Sequence, residues 1–395
     1  MKDKIIRFTE EYYQELAEAR HYFHENPELG YQEYKTSAKI CEILDKYGIK
    51  YTKGVAKTGV LAQIEGERKG DAPKCVLLRG DIDALPIQET ADIPFKSKVP
   101  NVMHACGHDG HAAGVLGAAL ILNELRKEFS GTVKFMFQPA EETIGGALPM
   151  IEEGILENPH VDACFGCHLW GLTGEGEVEI SPGPCFAAPD EFFITFKGRG
   201  GHGSRPDMSV NPIVAASYFV VQSNAIISTM ISPFKSASFS FGSIEGGSAF
   251  NIIPGEVKIN GTVRNFDEGV RTSIEKAFRD ILEGIKTSLH CDYELDYVRR
   301  YPILINDEKM SDLARGSFAK IIGADKVGEM PEPTMGGEDF AYLSEHRPSC
   351  FILVGISADK EHPVMHHNSG FCWDDKHIKT LSAGLAMCAV DFLDS

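Results

Sequence analysis

Apolar and polar positions follow two different rhythms along this chain. Residues 9–23 and 35–47 repeat apolar side chains at helical spacing, which predicts two amphipathic helices. The run Cys75-Val76-Leu77-Leu78 is short and wholly apolar, as in a strand covered on both faces. Residues 111–126 are rich in Ala, Leu and Gly with little polar surface, which predicts a buried helix. Further apolar runs at 133–138, 161–166 and 350–354 predict strands. Strands alternating with helices predict an α/β region built on a mostly parallel sheet.

The middle of the chain keeps a different order. Strands are expected at 191–197, 236–243, 256–264 and 292–298, and helices at 211–228, with Pro212 in its first turn, and 268–288. In the third strand Val257, Ile259, Gly261 and Val263 share one face. The order β-α-β-β-α-β is the ferredoxin-like pattern. Ser181-Pro182-Gly183-Pro184 reads as the hinge into it. No internal repeat or low-complexity tract interrupts either part.

Length sharpens this picture. At 395 residues the chain exceeds what one hydrophobic core usually holds, so two domains are expected. The net charge of −18 argues against nucleic acid or an anionic membrane as partner, since both need a basic face. Met1-Lys2-Asp3-Lys4 leads into a charged helical pattern rather than an apolar leader, and no apolar run reads as long enough to cross a bilayer. The ten cysteines are scattered and read as reduced thiols, so a cytoplasmic location is expected.

Candidate chemistry clusters after the predicted strands, where open α/β sheets bind ligands. Arg79-Gly80-Asp81-Ile82-Asp83 follows the first, Glu141-Glu142 the strand at 133–138, and His168 the strand at 161–166. The densest group is His104-Ala105-Cys106-Gly107-His108-Asp109-Gly110-His111, in which thiolate and imidazoles suit zinc and similar ions. Adjacent carboxylates at Glu141 and Glu142 can divide labour, one holding a metal and the other taking a proton; they equally suit a helix N-terminus. The His366-His367-Asn368-Ser369-Gly370-Phe371 loop is ambiguous taken alone. Cys164 and Cys167 form a C-x-x-C without a thioredoxin-like context.

These residues fall into ordered motifs: RHYFHENPELG (20–30), RGDIDALP (79–86), HACGHDGH (104–111), FQPAEE (137–142), GHGSRP (201–206), FNIIP (250–254), GTVR (261–264) and MGGEDF (335–340). With them the chain resembles, over essentially its whole length, the metallopeptidase family of aminoacylases, hippurate hydrolase and auxin-conjugate (IAA-amino acid) amidohydrolases. The resemblance implies a zinc-peptidase-like α/β catalytic domain, residues 1–183 and 300–395, with a mostly parallel mixed sheet. It also implies an inserted ferredoxin-like α+β lid and dimerisation domain at 184–299. Cys106, His108, Glu142, His168 and His367 become the ligands of two divalent ions (zinc, manganese or cobalt), with Cys106 bridging them. Glu141 becomes the general base and Asp83 the carboxylate that orients a ligand. His202 becomes the oxyanion donor, and Asn251 and Arg264 hold the substrate carboxylate. The family usually has a proline where Ser369 stands and an aliphatic residue where Cys167 stands. His367 is preferred to His366 because its spacing to Phe371 fits the family pattern.

The implied reaction is hydrolysis of the amide bond of an N-acyl amino acid by an activated water, in a homodimer acting on small molecules. A dipeptidase or carboxypeptidase with the same dinuclear site is the rival within the class. A non-catalytic metal- or amino-acid-binding protein is the rival outside it, and Glu141 beside a full ligand set speaks against that.

Overall fold

The computed structural model describes residues 1–70, 73–359 and 361–395. The chain divides into two compact units. One comprises Met1–Cys185, Ile305–Glu332 and Asp339–Ser395, and the other Phe186–Leu304 and Pro333–Glu338.

The first unit is built on a mixed sheet. Its strands run in the order Lys50–Val55, Gly59–Glu65, Thr132–Gln138, Cys75–Asp81, Ala163–Gly174, Ser349–Ser357, Val178–Glu179 and Val327–Gly328. The central pairings, from Thr132–Gln138 across to Ser349–Ser357, are parallel, and the hairpin of the first two strands is antiparallel. Every residue of Cys75–Asp81 is buried, as its apolar run predicts. The strand is longer than expected: Arg79 and Asp81 are inside it rather than after it. His168 likewise sits within Ala163–Gly174 rather than beyond its end.

The apolar helix His108–Glu124 is buried along nearly its whole length. It packs against Lys2–Glu25 and His377–Asp394. Small residues make this approach possible. A Cβ at Gly110 would meet the Trp373 ring at 2.4 Å, one at Gly114 would meet Leu381 at 2.7 Å, and one at Gly117 would meet Ser382 at 2.0 Å. The helix begins at His108, three residues before its predicted start, because Gly107 adopts φ +93 and turns the preceding loop into it.

The second unit has the ferredoxin-like order. Its antiparallel sheet runs Ala237–Gly246, Glu256–Asn265, Ala188–Lys197, Asp292–Arg299, with the first and third strands in chain order at the centre. Val257, Ile259 and Val263 are buried as predicted, and Gly261 leaves room for the Phe192 ring, 2.3 Å from where its Cβ would stand. Phe192, Phe196, Phe219 and Phe278 form the aromatic centre of the core.

The helix expected at 211–228 is two helices, Pro212–Ser223 and Ala225–Met230, separated at Asn224. The expectation that no apolar run could cross a bilayer is also corrected. Pro212–Met230, at 19 residues, is long and apolar enough by length and composition. Here Ala215, Ala216, Phe219 and Ile226 pack into the core of the unit.

Candidate metal centre

Four segments of the first unit bring donor atoms together. Cys106 precedes the helix His108–Glu124, whose first residue is His108. Glu141 and Glu142 lie in the turn after Thr132–Gln138. His168 comes from the strand Ala163–Gly174, and His367 from the loop before His377–Asp394. The candidate ligand atoms of Cys106, His108 and His168 all lie within 4.8 Å of one another, and so do those of Cys106, Glu142 and His367. The two triads share Cys106. Those of His108, Glu141 and Glu142 meet the same limit, which sets the second carboxylate of the pair beside the cluster.

Hydrogen bonds orient these groups. His108 Nδ1 lies 3.2 Å from Asp83 Oδ1, while its Nε2 is buried and has no hydrogen-bond partner among the described residues. Asp83 Oδ2 accepts the Glu142 N–H at 2.9 Å, so one carboxylate fixes both residues. His168 Nδ1 donates to the Leu169 carbonyl at 2.6 Å and leaves its Nε2 facing Cys106 Sγ at 3.4 Å. His367 Nε2 is 3.0 Å from Glu142 Oε1, and its backbone N–H donates to the Ala105 carbonyl at 2.8 Å. His367 holds φ +55, unusual for a residue with a Cβ and typical of functional loops.

The turn that carries the two glutamates is held by carboxylates to which the sequence assigned no role. Glu33 accepts the Ala140 N–H at 2.9 Å and the Thr58 hydroxyl at 2.6 Å. Asp339 accepts the Gly146 and Ala147 N–H groups at 2.9 and 3.0 Å. Arg79 pairs with Asp339 at 2.9 Å and with Asp81 at 2.7 Å. Only the FQPAEE and MGGEDF motifs hinted at this cradle, because its partners are far apart in the chain.

His111 stands near the cluster but both its nitrogens are engaged. Nδ1 donates to Asp81 at 2.6 Å and Nε2 accepts the Leu169 N–H at 2.9 Å. Asp109 is anchored by the 20–30 motif: Arg20 donates to it at 3.0 Å and His24 at 2.9 Å, and the far nitrogen of His24 reaches Glu89 at 3.1 Å.

The electrostatics ask for positive charge. Burial opposes a proton on His108, yet the Asp81 and Asp83 carboxylates outweigh it and raise its pKa to about 10. Burial, reinforced by the Glu142 and Glu141 carboxylates, holds Cys106 well above the usual thiol range. Burial with His111 and His366 nearby pushes His168 well below its ordinary value. All three would be satisfied by a divalent cation, for which His108 would give up its proton, Cys106 would offer its thiolate and His168 its neutral lone pair. A His108 Nε2 that makes no hydrogen bond among the described residues and the mixed sulfur, imidazole and carboxylate set therefore fit such ions.

In the second unit, His202 pairs across to Ile252, and Gly203 donates to the Asn251 carbonyl at 2.9 Å. His202 is exposed, and its Nδ1 accepts the Ser204 N–H at 3.1 Å, which places the ring proton on Nε2. Arg264 donates to the carbonyls of Met335 and Val263, each at 3.1 Å.

Residues 77–389 match the profile of peptidase family M20/M25/M40. The chain belongs to this family. An N-acetyl-L-cysteine deacetylase of Bacillus subtilis is 38% identical over 96% of this chain and 89% of its own. A thermostable carboxypeptidase 2 of Saccharolobus solfataricus is 36% identical over 95% of both chains. Among solved structures, the Bacillus subtilis YXEP protein, a dinuclear metal-binding peptidase of the M20 family, superposes with a TM-score of 0.84 at 32% identity. That match covers 98% of this chain and 99% of the other. This M20 protein is thus a metal-dependent amidohydrolase, and the α/β fold class and enzyme class expected from its motifs hold.

Proposed function

We propose that the chain hydrolyses the amide bond of small N-acyl amino acids. The observation that carries this reading is the pair of donor triads sharing Cys106, with Glu141 beside them. In this reading Cys106, His108, Glu142, His168 and His367 would hold two divalent ions of zinc, manganese or cobalt, Cys106 being the donor common to both triads. When bound, the ions supply Lewis acidity toward the substrate carbonyl and lower the pKa of water. Glu141 takes the proton of the attacking water and returns it to the leaving nitrogen. Asp83 keeps His108 in the tautomer whose Nε2 is free. The Nε2–H of His202 donates to the carbonyl oxygen as negative charge develops there. Asn251 and Arg264 receive the carboxylate of the amino-acid part.

The second unit serves as lid and dimerisation domain in this proposal. Val221 and Met230 on its apolar helical segment are exposed, and Ala237–Gly246 is an edge strand of its sheet; both favour a homodimer. A cytoplasmic location accords with ten cysteines that all remain thiols.

The carboxypeptidase relative supports the rival reading, in which the acyl group is an aminoacyl residue. The deciding experiment compares metal-reconstituted protein on N-acetyl amino acids and on dipeptides with the same C-terminal residue. The proposal expects higher kcat/KM on the acetylated series. A consistent preference for the dipeptides would replace it with the rival.

A further inference from the structure

His366 adjoins the proposed ligand His367, but its hydrogen bonds set it apart. Its Nε2 accepts the backbone N–H of Gly171 at 3.0 Å. A backbone N–H can only donate, so this nitrogen carries no proton. In a neutral imidazole the proton then resides on the other nitrogen. That other nitrogen, Nδ1, lies 3.9 Å from Cys106 Sγ, within reach of a sulfur acceptor. The ring is also held in place. It rests against Trp170 with centroids 5.1 Å apart and against Phe371 at 5.0 Å, tilted from them by 31° and 36°. It meets His168, the other neighbour of the same sulfur, edge-on at 5.2 Å.

We infer that His366 is a positioning residue that donates its Nδ1–H to the Cys106 sulfur, and that it is not a metal ligand. This rests on the proposal that Cys106 binds the ions. One hydrogen bond yields both halves of the inference. The proton that Gly171 forces onto Nδ1 occupies the lone pair a metal would need, and it points a donor at the sulfur. A hydrogen bond to a thiolate withdraws electron density from it, which weakens its donation to a cation and fixes its direction.

The test uses the full chain loaded with cobalt(II), whose thiolate-to-metal charge-transfer band reports the sulfur directly. Removing the donor with His366→Phe leaves a ring for Trp170 and Phe371 to pack against. The band should then move to longer wavelength while the cobalt content matches that of the unaltered protein. His366→Gln, which keeps an N–H donor, should return the band toward its original position. An unshifted band in His366→Phe at full cobalt content overturns the inference, as does an equal shift in both variants. Loss of one cobalt equivalent in both variants makes His366 a ligand and overturns it too. Absence of any such band in the unaltered cobalt protein is a different failure: it removes Cys106 from the metal site, and the inference falls with that reading.

Discussion

Adjacent glutamates carry different burdens here, and the difference comes from what their neighbours do. Glu142 has its N–H on Asp83 and its carboxylate on His367, and the proximity of His367 and His108 lowers its pKa against the cost of burial. Glu141 lies beside that cluster as the proposed base. Glu141→Gln should keep both metals and lose on the order of a hundredfold to ten-thousandfold in kcat, the usual effect of removing a positioned base. Glu142→Gln should instead lower metal content, which atomic emission on the purified variants will measure. Asp83→Ala should also weaken metal binding, about ten- to a hundredfold in affinity, because it frees the tautomer of His108 and the Glu142 N–H together. The sequence made these residue types and their spacing legible. It could not show that Glu33 and Asp339 hold the turn, since those contacts span 107 and 193 residues of chain.

At the scale of elements, the helix His108–Glu124 couples packing to the site. Its glycines admit Trp373, Leu381 and Ser382 to close range, so a side chain at Gly114 or Gly117 must displace the helix His377–Asp394. Gly117→Val should destabilise by about 1–3 kcal/mol through overpacking. Gly284, on the exposed side of the helix Glu268–Leu289, has nothing within 4 Å of its Cβ position. Gly284→Ala should be neutral or stabilise by up to about 1 kcal/mol, and thermal melts of the two variants check the contrast. The same helix is tied to Lys2–Glu25 through the buried trio of Asp109, Arg20 and His24. Burial disfavours a proton on His24, but hydrogen bonds to Asp109 and Glu89 prevail and raise its pKa to about 9. A raised folded pKa means that this contribution to stability is complete below the ordinary histidine value of about 6.5 and is lost as pH rises through 9. Unfolding midpoints in urea should therefore fall between pH 7 and 9 more steeply for the unaltered protein than for His24→Gln.

Legibility also varied by element. The buried strand Cys75–Asp81 and the apolar helix were readable because long apolar runs have few alternatives. The hairpin Lys50–Val55 and Gly59–Glu65 was not, since its outer strand, KYTKGV, is mostly exposed and carries no apolar run. The Asn224 break was hidden because Asn224 itself keeps right-handed helical angles, φ −60 and ψ −21, and apolar residues resume directly after it.

For the whole molecule, the ordered motifs made the family and its α/β fold class readable from sequence, while periodicity alone would have stopped at an α/β region and a ferredoxin-like insert. What the motifs imply but their order does not fix is how the insert reaches the chemistry. In the proposed mechanism His202 acts as a donor and not as a ligand. His202→Ala should therefore lower kcat about a hundredfold or more with unchanged metal content and little change in KM. If the partner subunit's lid supplies this donor, mixing His202→Ala with Glu141→Gln protein should restore part of the activity through hybrid dimers.

The central claim is that two ions sharing Cys106 are needed for hydrolysis. Stepwise addition of manganese, zinc or cobalt to chelator-stripped protein, with bound metal and released amine measured in the same samples, tests it most directly. The account predicts no turnover in the stripped protein and full activity only as the second equivalent per chain is bound. Full turnover without metal, or with one equivalent and no further uptake, would contradict it.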